Sequence, residues 1–124
     1  MKLVKGKQIL PKENPKNTYQ IIIYQMFGDG DYYSEQETLV SVEEEPMLIE
    51  FLELLNDYDK MNSYDRKEIK IFRNKYMALN EKYHYKFEGM IKTDSSGDYY
   101  GHIESSTLYY FDEQGNQFEV SEED

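Results

Sequence analysis

Polar and apolar positions along the chain fall into runs of different period. Thr18–Phe27 (TYQIIIYQMF) is dense in β-branched and aromatic residues, the side chains that suit a pleated strand. Its triple Ile21-Ile22-Ile23 predicts a strand covered at least partly on both faces. Gly28-Asp29-Gly30-Asp31 favours a turn, because glycine accepts positive φ without steric cost. Tyr32–Val42 then returns as the second arm of a hairpin. Its polar members Ser34, Gln36 and Thr38 place it near a sheet edge.

The period changes after Ser41. Met47, Leu48, Phe51, Leu52, Leu55 and Tyr58 recur at helical spacing, with Glu50, Glu53 and Asp57 on the opposite side. Ser41 and Glu44 fit a capping box, and Pro46 fits the first turn of a helix starting at Glu45. Glu43, Glu44 and Glu45 sit where the helix dipole favours negative charge. A second stripe, Ile69, Phe72, Tyr76 and Leu79, predicts a helix capped at Asn62-Ser63 and ending near Asn80. The short connection between the two predicts an αα-hairpin.

Alternation returns in Tyr83–Ile91, where Tyr83, Tyr85, Phe87 and Ile91 share one side and His84, Lys86, Glu88 and Met90 the other. That reads as a strand with one buried face. Thr93–Asp98 is a turn. Tyr99–Glu104 and Thr107–Phe111 are two strands, or one strand bulged at Ser105-Ser106. Asp112–Asn116 turns the chain into a last strand, Gln117–Val120. The expected order is β-β-α-α-β-β-β: an α+β fold, an antiparallel sheet with a two-helix hairpin on one face. Around the single domain at 18–120 lie a basic arm or short edge strand at 1–17 and a frayed acidic tail at 121–124.

Composition narrows the function classes. A chain of 124 residues can bury one core without staples. The absence of cysteine excludes disulfides, thiolate nucleophiles and Cys-ligated metal. No apolar run approaches the ~18 residues of a membrane span, and charges interrupt the basic start, so a cytoplasmic protein without membrane association is expected. The net charge of −11 is uneven. Residues 1–17 carry five lysines and one glutamate, and 18–60 carry eleven acids against Lys60. Residues 61–92 carry eight bases and four acids, and 93–124 carry nine acids and no base. Such charge keeps a small protein soluble, and neighbouring blocks can neutralise each other. It can equally meet a basic partner. Direct nucleic-acid binding is not expected: the one basic footprint, Arg66, Lys67, Lys70, Arg73 and Lys75, works against two acidic blocks.

Catalytic and metal chemistry find little purchase. His84 and His102 could share a metal with Glu88 or Glu104, but strand histidines are ordinarily surface or packing residues. The aspartates of 28–31 and 94–98 lack the twelve-residue series of a calcium loop and are turn residues. No nucleophile elbow, P-loop or dinucleotide fingerprint occurs. No metal, no cofactor and no enzymatic activity are expected.

Tyrosine is the remaining signal, with 13 in the chain. Tyr32-Tyr33, Tyr99-Tyr100 and Tyr109-Tyr110 are adjacent on expected strands, so each pair turns one ring outward. Outward tyrosines suit interfaces, and a homodimer or the N-terminal arm could also cover them. In its acidic, cysteine-free, Lys/Ile/Asn/Tyr-rich composition and its runs Glu43-Glu44-Glu45 and Glu122-Glu123-Asp124, the chain resembles small phage-encoded inhibitors. Among these are anti-CRISPR and anti-restriction proteins that imitate DNA charge, and bacterial immunity proteins against nuclease toxins are similar in composition. The resemblance implies a non-enzymatic inhibitor of a basic, nucleic-acid-handling host or toxin protein.

For that reading the expected contacts form two patches. One is an acidic stripe of Glu43, Glu44, Glu50, Glu53 and Asp57; the other is Asp94, Asp98, Tyr100, Glu104 and Tyr109. A second class of function is binding of an anionic nucleotide signal by Arg66, Lys70 and Arg73. A third is an accessory structural subunit.

Overall fold

A computed structural model describes residues 1–9, 14–28, 30 and 32–123. The chain is α+β: a five-stranded antiparallel sheet and two helices. Strands β1 (Lys2–Ile9), β2 (Thr18–Phe27) and β3 (Tyr32–Ser41) precede helices α1 (Glu45–Lys60) and α2 (Arg66–Lys82). Strands β4 (His102–Phe111) and β5 (Gln117–Glu123) follow. The strands lie in the order β1-β5-β4-β2-β3. The observed succession is therefore β-β-β-α-α-β-β rather than β-β-α-α-β-β-β.

The difference arises at three places. First, residues 2–9 form an edge strand against β5, with Lys2 opposite Glu123 and Leu3 opposite Glu122. Ser121–Glu123 are thus paired in the sheet and not a frayed tail; Asp124 lies outside the described residues. Second, Tyr83–Ile91 is not a strand. His84, Tyr85 and Gly89 take positive φ of 55°, 62° and 78°, which coils the segment into successive turns. Phe87, Met90 and Ile91 are all buried while Tyr85 is exposed, so the alternation in sequence does not match burial. Phe87 stacks on Phe51 at 4.3 Å between ring centroids, and the Tyr76 hydroxyl donates to the Phe87 carbonyl while accepting from the Ile91 amide. Tertiary contacts override the local pattern there. Third, Tyr99 and Tyr100 precede β4 and lie outside it, Tyr100 forming an isolated bridge with Thr93 instead. β4 is one strand, with Glu104 the extra residue opposite Tyr24-Gln25 in place of the expected bulge at Ser105-Ser106.

The hairpin β2–β3 pairs in register along its whole length, from Thr18 opposite Ser41 to Phe27 opposite Tyr32. Two of the four residues expected between the strands, Asp29 and Asp31, lie outside the described residues. Ser41 accepts from the Glu43 amide and opens a short 3-10 turn, Val42–Glu44, that leads into α1. The start of α2 is capped by Asp65, whose carboxylate accepts from the Lys67 and Glu68 amides. Asn62 instead accepts from the Tyr64 amide within the connection. The helix continues two residues beyond Asn80, to Lys82.

Both helices cover one face of the sheet. Along β2, Tyr19, Ile21, Ile23 and Gln25 are buried, and Gln20, Ile22, Tyr24 and Met26 are half-buried. The buried set packs with Leu48, Phe51, Leu52 and Leu55 of α1 and Ile69, Phe72, Tyr76 and Leu79 of α2. The strand alternates, fully closed on the helical face and partly covered on the other. No described helix covers the second face, and no helix is long and apolar enough to cross a membrane.

Candidate functional site

Charge in the sheet is sorted by strand order. The lysine-bearing β1 lies at one edge, beside the acidic β5, and at the other edge lies β3 with exposed Glu35 and Glu37. The helices sort charge similarly. Lys82 Nζ lies 3.0 Å from Glu50, and Lys75 Nζ lies 3.3 Å from Asp57. Two of the acidic blocks are thus partly neutralised by the basic segments that follow or face them. The carboxylates of β3 lie four strands away from β1.

The face of the sheet turned away from the helices carries the outward members of each strand, and Asn14 and Pro15 lie beside its buried Phe111. Tyr24 of β2 stacks on Tyr33 of β3, with ring centroids 5.3 Å apart and planes within 10°. Ile22 and Met26 flank Tyr24 on the same face, as strand alternation requires. Tyr109 lies opposite Gln20 on one side and Glu119 on the other. Towards the β3 edge a shallow hollow of about 600 Å³ is lined by Gln20, Glu37, Leu39, Phe111 and Gln117. Gln20 Nε2 donates to Glu37 at 2.7 Å across it. The face is therefore apolar and aromatic in its middle and carboxylate-bearing at its β3 and β5 sides. It could seat a partner whose apolar contacts are rimmed by basic groups.

The expected site residues are dispersed over the molecule. Glu43, Glu44, Glu53 and Asp57 are exposed and Glu50 half-buried, but α1 lies on the helical side, away from the open face. Asp98 lies beside α2, lining a cleft with Arg66, Lys70 and Arg73. Tyr100 is 8 % exposed and packs edge-on against Tyr58 and Phe72, so it belongs to the core and offers no surface. Glu104 is exposed at the bulge, 4.0 Å from His102. Of the second patch only Tyr109 lies on the open face itself, within β4. The three cations of the alternative reading do share a cleft of about 310 Å³. Asp98 shares it, however, and Arg73 already donates to the Gly97 carbonyl at 2.7 Å.

The structure brings Asp94 and Tyr100 of the second patch to one cleft, together with Phe27, Asp59 and Tyr64, which the sequence did not single out. A cleft of about 400 Å³ lies between the end of β2, the last turn of α1, the connection to α2 and the 94–103 segment. Tyr64, Tyr99 and Phe27 line it together with Asp59 and Asp94. Tyr64 is 85 % exposed, and its ring lies 6.5 Å from that of Tyr99. Hydrogen bonds from the Ser96 hydroxyl and nearby amides hold the Asp94 carboxyl below the usual carboxylate range. Among the described residues no group of three metal-ligating side chains converges, and His84 lies in the turns after α2, apart from His102 at the start of β4.

Comparison of the chain with protein-family models, with curated proteins and with solved structures finds no match to any of them.

Proposed function

We propose that the chain is a non-enzymatic interaction protein that binds a basic protein, of the nucleic-acid-handling kind, through the open face of its sheet. The observation that carries this reading is the Tyr24–Tyr33 stack among Ile22, Met26 and Tyr109 on a face no described helix covers, with Glu35 and Glu37 on β3 and Glu119 on the neighbouring β5. Tyrosine contributes large contact area at small entropic cost, and carboxylates at the margin steer a cationic partner and select it over neutral ones. Inhibition follows if the covered surface of the partner is its nucleic-acid groove.

The test is capture from a cell lysate by the immobilised chain, washed at low and at high ionic strength. Basic proteins retained at low salt and released at high salt support the reading, because contacts among exposed charges are screened. Retention that is indifferent to salt, or a captured set without basic proteins, contradicts it.

A second reading has one observation in its favour, the convergence of Arg66, Lys70 and Arg73 on one cleft. It makes the chain a binder of an anionic nucleotide. A ligand at 100 times its Kd would stabilise the fold by about 2.7 kcal/mol, so the absence of any thermal shift across a nucleotide panel contradicts it.

A further inference from the structure

The cleft at the end of β2 and the start of β4 continues the open face, since Met26 and His102 belong to both. Its chemistry differs from that of the face. Three features converge on it, each favouring positive charge. The first is aromatic: Tyr64 and Tyr99 stand at their 6.5 Å separation, and a ring face attracts a cation within about 6 Å of its centroid. The second is the pair of carboxylates, Asp59 and Asp94, the latter locked in place by Ser96. The third is the end of α1, whose last turn, with Tyr58 and Asp59, forms one wall and directs the negative end of its dipole there. Among the described residues no lysine or arginine lines the cleft to answer these charges, and His102 is the one basic side chain on its wall. An anion is repelled by all three features.

The cleft is also a built one. Gln25, fully buried on the far side of its wall, hydrogen-bonds to both backbone groups of Lys92 and to the Gly101 carbonyl. The Tyr58 hydroxyl donates to that same Gly101 carbonyl. Gly101 itself passes so close to Phe27 that an added Cβ would lie 2.6 Å from the ring. The rigid inner wall contrasts with Tyr64, which lines the cleft beside Tyr99 and is largely exposed.

We infer that this cleft binds the guanidinium or alkylammonium group of an arginine or lysine side chain presented by the partner. The inference rests on the proposed reading of the open face and names the anchor that reading lacks. Arginine fits better than lysine, because its planar group can stack on a tyrosine while donating to a carboxylate.

An NMR titration of the whole protein with N-acetylarginine amide tests it, with N-acetylcitrulline amide as the neutral isostere and spermidine as a free polyamine. The expected result is saturable shifts confined to the cleft, with millimolar affinity for the arginine probe and at least tenfold weaker response to citrulline. Tyr64→Ala and Asp59→Asn, both at exposed positions, should each weaken the arginine probe at least fivefold without moving the thermal midpoint. Equal response to citrulline, diffuse unsaturable shifts, or variants that bind as well as the parent chain overturn the inference. Tighter binding of spermidine than of arginine overturns the assignment to a protein side chain. Salt-sensitive capture without cleft binding defeats the cleft and leaves the open-face reading standing; cleft binding without capture of any basic protein does the reverse.

Discussion

Gln25 pairs with Lys92 across 67 residues of sequence as one strand pairs with another: its amide nitrogen donates to the Lys92 carbonyl and its amide oxygen accepts from the Lys92 amide, at 3.2 and 2.8 Å. The same nitrogen donates to Gly101 at 3.1 Å. A polar side chain in the interior of β2 thereby supplies backbone partners to two loop segments that have no strand of their own. Replacing it by Leu keeps the volume but takes the partner from the Lys92 amide, while the Lys92 and Gly101 carbonyls each fall back on one remaining donor, the Gly101 amide and the Tyr58 hydroxyl. Gln25→Leu is expected to lower stability by about 2–3 kcal/mol in urea denaturation. A loss below about 0.5 kcal/mol would show that the loops find other partners.

The close approach of Gly101 to Phe27 gives a coupled expectation. Gly101→Ala forces the Phe27 ring aside and should cost about 1–3 kcal/mol. Combined with Phe27→Ala it should cost less than the two single changes added together, because the clash is gone. Simple additivity in that double-mutant cycle would mean that the two residues do not meet.

Three tyrosines govern the alkaline limb of stability. Burial pushes the Tyr19 and Tyr58 hydroxyls well above the ordinary phenol range, helped at Tyr19 by its 2.7 Å hydrogen bond to Glu45 and at Tyr58 by the Asp59 charge; it raises Tyr76 as well, against hydrogen bonds, the Ile91 amide's first, that lower it. The unfolded chain ionises these groups near pH 10 while the folded chain keeps them neutral. Their contribution is therefore complete below about pH 10 and declines above it, by up to about 1.4 kcal/mol per pH unit for each group. Denaturation at pH 9 and pH 11 should differ by about 2–4 kcal/mol, with the Tyr19 and Tyr58 rings ionising only as the chain unfolds. Equal stability at the two pH values would contradict it.

The ion pairs between the helices should matter far less. Lys75–Asp57 and Lys82–Glu50 are both substantially exposed. Removing both lysines together should cost less than about 1 kcal/mol, read from the urea midpoint, because solvent screens such pairs. A larger loss would make them part of the fold's foundation and withdraw Glu50 and Asp57 further from any partner.

Much of this architecture is legible in the residues. The apolar stripes of α1 and α2 coincide with their buried sides, and the β2–β3 hairpin and the Asp112–Asn116 turn fall where expected. Local chemistry was ambiguous where several residues compete for one role: Asn62, Ser63 and Asp65 can each cap a helix, and only the course of the chain selects Asp65. Tyr83–Ile91 misleads for another reason. Its period of two is real, but Phe87 is claimed by Phe51 and Tyr76 from outside the segment, and positive φ at His84 and Tyr85 breaks the extended path. The cleft was legible only in part: Asp94 and Tyr100 belong to the expected second patch, but nothing in the sequence joins them to Phe27, Asp59 and Tyr64. Its parts, Phe27, Asp59, Tyr64, Asp94 and Tyr99, come from four separate stretches and share no spacing rule. The division of the carboxylates between two sides of the molecule was equally hidden, because it depends on which sheet face the helices cover.

The open face as the interface is tested most directly by charge reversal on it. Affinity for a captured basic protein should be measured for the parent chain, for Glu35→Lys/Glu37→Lys on β3, and for Glu113→Lys in the exposed turn between β4 and β5. An interface on the open face requires at least a tenfold loss in the β3 variant at low salt and a change within twofold in the turn variant. Equal affinity of the β3 variant and the parent chain, with both correctly folded, would place the interface elsewhere and contradict it.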